Sequence, residues 1–315
     1  MALSLEHVVV LAGGVGGAKL ADGLARILPP EKLTVIVNTG DDFWHYGMRI
    51  CPDLDTVMYT LAGVVDPANG WGVAGDTTAT LEALKRYGED VWFRLGDQDI
   101  ATHLLRSEAL RNGERLTEVM LRLQNRLGVL HPILPMTDAA VETMIDTVEY
   151  GELPFQTYFV RYRWQPTMKG LRYAGSENAE ASPEVTAALE NADAIIIAPS
   201  NPWLSLAPML SVKPFSELLI EKHIPRVAVS PIVAGTAVKG PAAKLMAELG
   251  YDVTARAVAE YYGALINGFV YDLQDSSLII EDKKTFVTNT IMQNQIDREH
   301  LAQLILRWIT SEVWD

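Results

Sequence analysis

The chain has 315 residues, 49% of them hydrophobic, with 26 Lys and Arg against 40 Asp and Glu for a formal net charge of −14. That length can bury a substantial core as one large domain or a core with a smaller appended unit. The charge disfavours a nonspecific grip on nucleic acid or an anionic membrane, no apolar run reaches the roughly 20 residues that span a bilayer, and the N-terminus lacks a signal-peptide pattern, so the cytoplasm is the expected location.

Residues 7–12 form an apolar, β-type run that leads into Gly13, Gly14, Gly16, Gly17 and Lys19, and a helix is expected over Leu20–Leu28. Glycine-rich backbone at a helix start, with Lys19 beside it, suits an anion. The spacing matches neither the dinucleotide fingerprint nor the Walker loop, so the glycines alone do not specify the ligand. A second strand over 33–38 ends in Asn38-Thr39-Gly40-Asp41-Asp42, and Cys51-Pro52-Asp53-Leu54-Asp55-Thr56 follows. Cys51 is the single cysteine, which excludes an intrachain disulfide framework and a cysteine-based zinc site. Asp41, Asp42 and Asp53 are candidate ligands of Mg²⁺, although each also suits a turn or cap; Asp55 lies beyond the cap position.

Residues 56–128 read as a mainly helical insertion, with helices expected over Thr77–Tyr87, Asp99–Arg111 and Leu116–Leu127, set into a core of 1–55 and 129–315. Arg94-Leu95-Gly96-Asp97-Gln98-Asp99 and His103 crowd ionisable groups into one short stretch, and Trp44 and Trp71 flank the acidic region where a planar ring could stack. Residues 150–175 fit one or two strands of a smaller subdomain or the sheet edge. Further buried strands are expected over 194–198, before Pro199-Ser200-Asn201-Pro202, and over 226–230, before Ser230-Pro231 and a run containing Lys239 and Lys244. An amphipathic helix is expected over Ile296–Val313. Buried strands alternating with helices give an α/β fold: a Rossmann-like, mostly parallel sheet with helices on both faces. The polar segments after the four strands would meet in one crevice at their carboxyl ends.

In this order the glycine segment, Asn-Thr-Gly-Asp-Asp, Asp-Leu-Asp-Thr, Arg94-Leu95-Gly96-Asp97, Leu134-Pro135-Met136-Thr137-Asp138 and Pro-Ser-Asn-Pro resemble the 2-phospho-L-lactate transferase family of coenzyme F-420 biosynthesis, from the first strand to at least Tyr262. The resemblance implies an Mg²⁺-dependent transfer of a phospho-linked three-carbon acid from a guanosine diphosphate donor to the ribityl hydroxyl of the deazaflavin Fo, releasing GMP. It implies that Asp55 and Arg94 contact Fo. The expected set for the nucleotide and its diphosphate is Gly13, Gly14, Gly16, Gly17, Lys19, Asn38, Thr39, Asp97, Ser200, Asn201, Ser230 and Lys244. Gln98 stands where a basic residue is expected in many relatives. A homodimer is the expected assembly. A nucleotide- or sugar-nucleotide-binding regulator on the same core is the alternative; a nicotinamide-dependent oxidoreductase is disfavoured by the glycine spacing.

Overall fold

In the computed structural model, described for residues 5–237 and 240–314, the chain runs through β1 (Val8–Ala12), α1 (Gly14–Ile27), β2 (Leu33–Val37), a hairpin of β3 (Phe43–His45) and β4 (Met48–Ile50), then α2 (Pro52–Leu61), α3 (Ala79–Arg86), α4 (Asp97–Arg111) and α5 (Leu116–Arg126). Next come β5 (Ile133–Pro135), β6 (Glu142–Thr147), β7 (Gly151–Pro154), β8 (Met168–Ala174), α6 (Pro183–Asn191), β9 (Ala194–Ile197), α7 (Ala207–Leu210) and α8 (Phe215–Glu221). The chain closes with β10 (Arg226–Val229), β11 (Ile232–Val233), β12 (Thr236–Ala237), α9 (Ala242–Glu248), α10 (Ala255–Tyr262), β13 (Gly268–Asp272), β14 (Lys284–Thr288) and α11 (Gln295–Ile309).

The four expected strands are β1, β2, β9 and β10. They sit inside a seven-stranded sheet of order β14-β13-β10-β9-β1-β2-β5, parallel at every pairing. Successive side chains of a strand point to opposite faces, and in β1 both faces are buried. Val8, Val10 and Ala12 enter the core shared with α1, α2 and α11, whereas Val9 and Leu11 enter the core shared with α6, α8 and α10. Double burial is why these runs read as continuously apolar. Among the described residues no helix is long and apolar enough to cross a membrane.

Three features refine the sequence reading. Helix α1 begins at Gly14, so the glycines form its first turn rather than a loop ahead of Leu20. Close packing explains this: a Cβ on Gly16 would lie 2.4 Å from the Pro199 carbonyl oxygen, and one on Gly17 would lie 2.8 Å from Ser200 Oγ. Tertiary contact thus overrides the low helix propensity of glycine. Second, residues 150–175 supply β7 and β8, which join β6 in a separate antiparallel sheet and not the edge of the large one. Third, α2 runs unbroken across residue 55, and its Leu54, Val57 and Met58 belong to the same core as β1.

Candidate active site

A cavity of about 590 Å³ opens at the carboxyl ends of the central strands, where ligands settle in open parallel sheets. Gly13 after β1, Asp41 after β2, Pro199 after β9 and Ser230 after β10 all line it. Gly14 holds φ +59°, a left-handed angle that favours glycine, and starts α1 with its N–H directed at the Asp53 carboxylate. Ser200 ties the β9 loop to this turn: its Oγ accepts from Gly13 N at 3.1 Å and donates to Gly13 O at 2.8 Å. Asn201 caps the next turn by accepting from the N–H groups of Trp203 and Leu204, which leaves its buried Nδ2 without a protein partner. Gly16, Lys19, Ser200, Asn201 and Ser230 also reach the wall, and Lys19 Nζ donates to Met292 O at 2.6 Å.

Among the described residues no ion pair reaches the Asp41 or Asp53 carboxylates of this cavity. Asn38 Nδ2 donates to Asp53 Oδ2 at 3.0 Å and to Leu204 O at 3.2 Å, which orients Asp53 from behind. Burial pushes the Asp53 carboxyl up to about 6, against the opposing hydrogen bonds from Asn38 and Gly14. Asp41 is pushed well above the ordinary carboxylate range by burial and by the charges of Asp53 and Asp42, and its Oδ1 has no hydrogen-bond partner. Two buried, mutually repelling carboxylates with a spare oxygen suit a hard divalent cation such as Mg²⁺.

Asp55 and Thr56 from α2 form the adjoining wall with Asp99 and His103 from α4. Arg106, fully buried, donates to both oxygens of Asp55, through Nη2 to Oδ1 and through Nη1 to Oδ2 at 3.1 Å. Burial works against its charge, but Asp55 outweighs that penalty and holds the guanidinium firmly protonated. His103 lies between two carboxylates, with Nδ1 3.5 Å from Asp55 Oδ2 and Nε2 3.3 Å from Asp99 Oδ1. Tyr59 OH donates to Asp99 Oδ1 at 2.7 Å. Asp55, Asp99 and His103 bring ligand atoms within 4.8 Å of one another, so this group too could hold a metal ion. The sequence reading missed Arg106; its signal was the spacing of Asp99, His103 and Arg106 at four and three residues, which places them on one helix face. Arg94 lies exposed on the wall, beside an aromatic surface of Trp71, Trp92, Phe93, Phe155 and Phe159.

Several expected residues stay away from the cavity. Gly17 is taken up in packing against Ser200 and Ala12, and Asn38 acts through Asp53. Thr39 is buried and does not line the cavity. Asp42 faces Arg49 at 3.6 Å, with burial raising its carboxyl to about 7. Asp97 accepts the N–H groups of Ala79 and Thr80 at the start of α3. Lys244 is held by Tyr158 OH at 3.2 Å, Pro166 O at 2.9 Å and Glu248 at 2.7 Å. Trp44 is 52% exposed and outside the wall that Trp71 joins. Lys239 lies outside the described residues.

Residues 8–314 match the family model described as 2-phospho-L-lactate transferase CofD. The chain is 42% identical over 268 residues to the 2-phospho-L-lactate transferase of Methanosarcina mazei, covering 85% of this chain and 88% of that one. It is 38% identical over 308 residues to that of Methanocaldococcus jannaschii, covering 96% and 98%. It is 41% identical over 278 residues to the phosphoenolpyruvate transferase of Streptomyces coelicolor, covering 87% of each. In fold it is similar to a UPF0052-family protein from Bacillus halodurans, with a TM-score of 0.62 at 14% identity over 96% of this chain and 99% of the other. With a transferase family matched along nearly its whole length and such identity to its members, the chain belongs to the 2-phospho-L-lactate transferase CofD family of coenzyme F-420 biosynthesis.

Proposed function

We propose that this cavity transfers a phospho-linked three-carbon acid from a guanosine diphosphate donor to the terminal ribityl hydroxyl of Fo and releases GMP. The observation that carries the reading is the apposition, in one cavity, of a glycine turn flanked by the buried, mutually repelling Asp41 and Asp53 with an aromatic wall beside Asp55 and Arg94. The first half suits a metal-bound diphosphate and the second a planar tricycle that presents an alcohol.

In the proposed step the ribityl oxygen attacks the phosphorus that bears the acid. The bond from that phosphorus to the bridging oxygen breaks, and GMP leaves with the bridging oxygen. Asp55 orients the attacking hydroxyl and takes its proton. The Gly13–Gly14 turn, Ser200, Asn201 and Ser230 position the nucleotide, while Lys19 and Arg94 offset the charge on phosphate. Mg²⁺ held by Asp41 and Asp53 would supply positive charge to the diphosphate oxygens.

Incubation of Fo with guanosine diphosphate donors bearing lactate, enolpyruvate or glycerate, followed by mass spectrometry, tests the reading. A phosphodiester of Fo and an equal amount of GMP should form from at least one donor; failure with all three would overturn it. We also infer a cytoplasmic homodimer, the assembly being checked by sedimentation and the compartment by cell fractionation.

A further inference from the structure

Helix α4 buries four polar side chains and exposes two leucines. Asp99, His103, Arg106 and Ser107 face inward, whereas Leu104 and Leu105 are 52% and 61% exposed. Burying charges costs free energy unless each is paired, and exposing leucines forgoes burial, so this arrangement opposes the ordinary driving force of folding. Such reversals cluster where a site dictates the residues.

The inward face converges on one carboxylate. Arg106 grips Asp55 with both terminal nitrogens, and Nη1 also donates to the Arg49 carbonyl at 3.2 Å. Ser107 Oγ accepts the Arg49 N–H at 2.7 Å, so β4 and α4 are fastened together just behind Asp55. A planar fork on both oxygens fixes the plane of the carboxylate as well as its position, which a point charge on a flexible stem does not. Asp55 thereby presents a defined oxygen lone pair to the cavity it lines.

We propose that Arg106 is a positioning residue of the transfer reaction: it touches no substrate and acts by setting the orientation of the Asp55 carboxylate toward the acceptor hydroxyl. This rests on the reading of Asp55 given above. A merely structural Arg106 would affect folding and leave turnover of the folded enzyme unchanged.

The test is a double-mutant cycle on the full-length protein with Mg²⁺, measuring kcat, KM for Fo, and Fo affinity by fluorescence. Arg106→Lys keeps the charge and loses the fork. It should lower kcat on the order of 100-fold, the scale set by misplacement of a reacting group, while Fo affinity changes less than about threefold. Asp55→Asn should be similarly slow, and D55N/R106K no slower than Asp55→Asn, because the two residues act as one unit. Full kcat in Arg106→Lys, or a double variant showing the product of the two losses, overturns the positioning role while the reading of Asp55 stands. Full turnover in Asp55→Asn instead overturns that reading, and this inference with it. If the Arg106→Lys protein proves poorly folded, D55N/R106M, which removes both charges together, is compared with Asp55→Asn: equal kcat supports the positioning role, and a further loss overturns it.

Discussion

Asp76 and Asp97 cap each other's helices. The Asp97 carboxylate accepts the N–H groups of Ala79 and Thr80 at the start of α3, while that of Asp76 accepts those of Gln98 and Asp99 at the start of α4. Neither helix has a capping side chain at its own N-cap residue, so each depends on the other's acid. The exchange fastens the segment bearing Arg94 and Leu95. Asp76→Ala should lower stability by about 1–2 kcal/mol in urea unfolding and raise KM for Fo; unchanged stability would remove the capping role.

The buried acids predict how the metal-free protein responds to pH. Asp42 is raised to about 7 and Asp53 to about 6 by burial, above the unfolded value of about 3.9. The folded chain therefore binds protons that the unfolded chain releases, and stability falls as pH rises from about 4 through 7. For Asp42 the loss approaches about 4 kcal/mol, on the order of 5 °C in melting temperature for a chain of this length. Melting in EDTA at pH 5 and pH 8 should show the drop, and Asp42→Asn should flatten it. A melting temperature that stays level or climbs over this range contradicts the assignment.

A divalent cation should relieve the same strain. Magnesium at a hundredfold its dissociation constant is expected to stabilise the protein by about 2.7 kcal/mol at pH 8, and Asp53→Asn should abolish that gain. Differential scanning fluorimetry with and without EDTA measures it; identical melting in both, together with full turnover in EDTA, would rule out the cation.

At Gly16 two effects of alanine oppose each other. Helix propensity favours Ala by about 1 kcal/mol, whereas the Cβ would lie 2.4 Å from the Pro199 carbonyl oxygen. The contact is with backbone and cannot be relieved by a rotamer change, so the clash prevails and Gly16→Ala should cost about 1–3 kcal/mol. Its melting temperature decides between the two: a rise would show that the β9 turn yields.

The parallel sheet was legible because β1, β2, β9 and β10 are buried on both faces, and a doubly buried strand can accept little besides apolar residues. The polar ends of those strands were legible for a related reason, since Asp41, Asn201 and Ser230 interrupt runs that packing would otherwise fill with hydrocarbon. Asp-Leu-Asp-Thr and Pro-Ser-Asn-Pro were conspicuous as motifs because their side chains lie close together along the chain. What each side chain faces was not legible. Asp97 and Lys244 are the right chemical types in promising positions, yet Asp97 serves a helix start and Lys244 is held by Tyr158, Pro166 and Glu248. Arg106, 51 residues from Asp55, became its partner only when α4 packed against α2 and β4. Local sequence thus determined where strands, turns and polar interruptions fall, since steric preference and burial act on neighbouring residues. Only the tertiary structure decided which charges meet, because a buried ion pair depends on helix rotation and packing depth that no short stretch of chain encodes.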